Sequence, residues 1–149
     1  LGSMLLEADA ALLIGDHALR AYYQPRPGLY SYDLGKVWKE LTGLPMVFAV
    51  WAIRREFAEK HPELAQEVYH SFLQSMQFSL ENLSQIASSA ARWETLEANL
   101  LEQYFACLRF DFGYKKQEGL KMFYTSAYKY NFLPKIRSLQ FLNTPRSLV

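Results

Sequence analysis

Residues able to do chemistry are sparse, and their densest group is Ile14-Gly15-Asp16-His17. Residues 9 to 14 end in an apolar run that meets Gly15-Asp16, which reads as a buried strand entering a turn. His17 to Tyr23 reads as a short helix with Asp16 at or near its N-cap. Ligands of open α/β sheets bind where strands end, and the free N–H groups of a helix start favour an anion. Asp16 opposes an anion unless it is itself the cap. The plainer reading is a capped turn, which is common. His17, His61 and His70 have no second ligand at HExxH spacing, so no metal site is expected. His61 reads as an exposed residue before a helix, and His70 as a helix-surface residue. Cys107 sits among Tyr104, Phe105 and Leu108 with no base or cation beside it, and reads as a buried structural thiol. No GxSxG, P-loop or GxGxxG pattern occurs.

The elements that must position these residues follow from periodicity. Residues 24 to 31 hold Pro25, Pro27 and Gly28 and form a loop. Asp33 caps a helix to about Leu41 that places Leu34, Val37, Trp38 and Leu41 on one face, and Thr42-Gly43 stops it. After Pro45, Met46 to Ile53 is apolar on both alternating faces, the pattern of a strand covered on both sides in a parallel or mixed sheet. Arg54-Arg55 return the chain to solvent. His61-Pro62-Glu63 starts the most periodic segment, with Leu64, Val68, Phe72, Met76, Leu80 and Leu83 on one helix face. Ser88 to Ala91 is a weak boundary. A further helix carries Leu96, Leu100, Leu101, Tyr104, Phe105 and Leu108, and Phe110 to Gly113 breaks it. Glu118 to Tyr130 reads as another, with Leu120, Phe123, Tyr124 and Ala127 inward, and the tail after Pro134 is irregular. Two strands do not build an independent sheet of ordinary size. The chain is therefore mostly helical with an unusual core, or part of a larger protein.

Composition narrows the classes. The 149 residues fit one domain, at 50% hydrophobic and a net charge of +1. That balance argues against nucleic acid or a membrane as the main partner. Phe72, Phe105 and Phe123 fall on apolar helix faces, so core packing is favoured over base stacking. Lys115, Lys116, Lys121 and Lys129 read as a solvated face. One cysteine allows no internal disulfide and fits a reducing compartment. No window has the ~18 consecutive apolar residues of a membrane span. Leu1-Gly2-Ser3 before Met4 reads as a tag remnant.

The segment Asp9-Ala10-Ala11-Leu12-Leu13-Ile14-Gly15-Asp16-His17-Ala18-Leu19 resembles a motif of the chorismate dehydratases. So do Tyr32-Asp33-Leu34-Gly35, Trp38-Lys39-Glu40-Leu41-Thr42-Gly43-Leu44-Pro45 and Val47-Phe48-Ala49-Val50-Trp51-Ala52. Glu118-Gly119-Leu120 with Phe123 is similar to the family's closing helix. The resemblance runs from about Leu6 to Leu133.

It implies an α/β fold: the C-terminal portion of a two-lobed fold like that of type 2 periplasmic binding proteins, helix-rich with few strands. Residues 4–44 would be the last segment of lobe two, residues 45–133 the returning segment of lobe one, and residues 134–149 a tail. The implied activity is a lyase of the futalosine route to menaquinone, in the cytoplasm, converting chorismate to 3-[(1-carboxyvinyl)oxy]benzoate. It implies no cofactor. Much of the cleft would lie upstream, so inactivity is expected of this chain alone. The residues carried over as substrate-binding are Ile14, Gly15 and Asp16 and, more weakly, Phe48; no catalytic base is assigned. Two other readings compete. One is a non-catalytic carboxylate-binding module of the same fold. The other is a fragment that self-associates as a homo-oligomer through the unpaired strand edge at 46–53.

Overall fold

The structure is a computed structural model and describes residues 2–94, 96–136 and 138–142. The chain divides into two compact units, Leu1–Val37 and Trp38–Val149.

The first unit holds a 3-10 turn at Met4–Leu6 and helix α1 at Gly15–Tyr23. It also contains the first turn of α2, Leu34–Thr42. Asp33 starts α2 as expected: its Oδ1 accepts a hydrogen bond from the Lys36 backbone N–H at 3.1 Å.

The second unit carries the rest of α2 and five further helices. At the end of α2 the Thr42 hydroxyl donates to the Trp38 carbonyl at 2.7 Å and accepts from the Leu44 N–H at 3.1 Å. Helix α3 spans Arg55–Lys60, where the sequence suggested only a return to solvent. Helix α4 spans Pro62–Glu81, with Pro62 in its first turn, where a missing N–H costs nothing. Asn82 interrupts the expected continuation, its side-chain amide donating to the Phe78 carbonyl at 2.8 Å. Helix α5 then runs Leu83–Ala90 and α6 Ala98–Cys107. Helix α7 spans Tyr114–Lys129, starting four residues before the expected Glu118. Helix α5 packs on α6, α3 on α4, and α4 on α5. From residue 134 the described residues form no helix or strand; Leu1, residue 137 and residues 143–149 of the expected terminal segments lie outside the described residues.

The expected α/β fold is not formed. Among the described residues there is no strand, and the architecture is helical. Both apolar runs read as strands carry no ladder. Ile14 is extended at φ −135° and ψ 162°, and Met46 to Ile53 has no regular structure. A strand exists only where a second backbone pairs with it, and an apolar run specifies the need for burial without supplying that partner.

The core is correspondingly small. Among the described residues the buried hydrophobic side chains are Ala65, Ala87, Leu96, Leu101 and Leu120. On α4 the expected inward stripe is open: Leu64, Val68, Phe72 and Leu80 keep 40 to 48% of their surface exposed. Phe123 is likewise exposed, so core packing does not describe Phe72 or Phe123 here. Cys107, the last residue of α6, is exposed and not buried as expected.

A close backbone approach in the second unit joins α7 to the segment after α2. A Cβ added to Gly119 would collide with the Pro45 carbonyl oxygen and lie 3.7 Å from Leu44 Cβ. Glycine is the residue that lets α7 lie against this stretch of chain.

Candidate functional site

Helix α1 begins at Gly15, and Gly15 has φ +58°. That left-handed conformation is strained for residues with a Cβ and free for glycine. It converts the extended backbone at Ile14 directly into a helix. Ile14 occupies the N-cap position and provides no side-chain cap. Asp16 lies near the N-cap as expected, in the first turn beside the positive end of the helix dipole, while the N-cap position itself is Ile14. The first N–H groups of α1 have no intrahelical acceptor and no side-chain cap among the described residues.

Ile14, Gly15, Asp16 and His17 are all exposed, Ile14 at 79%. The three predicted contact residues of this turn are therefore contiguous and accessible in the first unit. Nothing lies within 4 Å of where a Gly15 Cβ would stand, which leaves open space over the backbone. Such a turn can receive a carboxylate through backbone N–H groups, with Asp16 limiting how closely an anion approaches. Phe48 belongs to the second unit and is 78% exposed.

The second unit also presents an apolar groove that the sequence did not single out. Trp38 meets Phe123 edge to face, with centroids 5.8 Å apart and planes at 69°. Ala127, Tyr130, Phe132 and Ser126 complete the lining. The Trp38 indole N–H is buried and has no acceptor among the described residues. Helical spacing of Phe123 and Ala127 on one face was the available signal, but Trp38 joins them only through tertiary packing.

Charged groups are dispersed. Lys116 donates to Asp111 Oδ1 at 2.5 Å and to its carbonyl at 3.0 Å. The hydrogen bond and charge of Lys116 hold the Asp111 carboxyl below its usual 3.8, aided by the Gly113 N–H. Lys121 pairs with Glu118 at 3.6 Å. These contacts fasten α7 and the turn before it; among the described residues no group of three or more His, Cys, Asp or Glu is placed to hold a metal. No helix among the described residues is long and apolar enough to cross a membrane.

Comparison with known proteins identifies the chain. Residues 2–129 match a family described as "Menaquinone biosynthesis". The chain is 32% identical over 137 residues to a protein of Thermus thermophilus named chorismate dehydratase. That similarity covers 82% of this chain and 49% of the relative, so the chain spans about half the length of the curated relative it matches. With most of its length matched, including the Ile14-Gly15-Asp16 turn and the Gly119 approach, this chain belongs to the menaquinone biosynthesis family.

Proposed function

We propose that this chain is part of a chorismate dehydratase, a carbon–oxygen lyase of the futalosine route to menaquinone. The observation that supports this reading most is the identity to the Thermus enzyme across 82% of the chain. The reaction breaks a ring C–H bond and a ring C–OH bond, forms a ring double bond and releases water. Chorismate becomes 3-[(1-carboxyvinyl)oxy]benzoate with no net oxidation or reduction, so its balance calls for no redox cofactor. The enzyme must hold two carboxylates, remove a carbon-bound proton and protonate a departing hydroxyl.

In this reading the Ile14-Gly15-Asp16 turn lines the cleft. Gly15 lets the substrate approach the backbone, and the free N–H groups of α1 face a substrate carboxylate. Asp16 limits how closely that carboxylate approaches. No residue of this chain is assigned as the base. The remaining half of a family-length polypeptide supplies it, and this chain is inactive alone. The placement in the cytoplasm rests on the family resemblance.

The test joins this chain to the part of the Thermus enzyme outside the matched region and adds chorismate. Formation of 3-[(1-carboxyvinyl)oxy]benzoate by the joined protein supports the reading. Tight chorismate binding without product would instead favour a non-catalytic carboxylate-binding module.

A further inference from the structure

We draw no further inference here: the strongest candidate, the apolar groove of the second unit between Trp38 and α7, lined by Phe123, Ala127, Tyr130 and Phe132, carries nothing because nothing in the structure shows what covers it.

Discussion

The Trp51 indole lies on the Phe72 ring with centroids 4.3 Å apart and planes 22° from parallel, yet Trp51 keeps 81% of its surface exposed. One face of the indole is used, and the other looks outward. This stack is what attaches the irregular 46–53 segment to α4. Replacing Trp51 and Phe72 by alanine singly and together should show a coupling of about 0.5–1.5 kcal/mol in urea unfolding. A coupling near zero would mean that the segment is not held by this pair.

Gly119 sits on α7 where alanine would ordinarily gain up to about 1 kcal/mol in a helix. Here the added methyl would meet the Pro45 carbonyl, which is backbone and cannot swing aside. Gly119→Ala is therefore expected to destabilise by roughly 1–3 kcal/mol. Unfolding midpoints of the two proteins decide the matter, and a stabilised variant would contradict the approach of α7 to residue 45.

At Gly15 the cost has a different origin. Its surroundings are open, but its φ of +58° is left-handed. Gly15→Ala should cost roughly 1–2 kcal/mol through strain alone. Gly15→Asn should cost less, because asparagine tolerates that region. Equal losses in thermal unfolding would argue against the left-handed start of α1.

The Asp111–Lys116 pair predicts an acid-side effect. The Asp111 pKa is lowered on folding, first by the hydrogen bond from Lys116. Its contribution is then fully present above the unfolded value of about 3.8, and is lost as pH falls through the lower folded value. The effect is small because the carboxylate is exposed. Asp111→Asn should flatten the stability profile only below about pH 4. A variant differing from the parent most strongly near neutral pH, in its pH slope, would contradict this assignment.

Local signals in the sequence translated well where the determinant was itself local. Asp33 caps α2 with its own side chain, and Pro62 opens α4, both readable from residue type and position. The break at Asn82 was missed because the apolar spacing continues through Leu83, while the Asn82 backbone leaves the helical region at φ −125° and ψ 30°. The strands at 9–14 and 46–53 failed for a nonlocal reason: their apolar pattern asks for burial, and no backbone among the described residues pairs with them. The same absence of cover leaves Phe72 and Phe123 open. In the candidate site, the Ile14-Gly15-Asp16 turn was evident from residue types. That the helix starts at Gly15 and not at His17 was not, since it depends on a backbone torsion that only the built turn reveals.

The most direct measurement is a mass spectrum of chorismate incubated with this chain alone and with the chain joined to the unmatched half of the Thermus enzyme. The account predicts loss of one water from chorismate with the joined protein and unchanged chorismate with the chain alone. Dehydration by the chain alone at the joined protein's rate, or no dehydration by a well-folded joined protein, would contradict it.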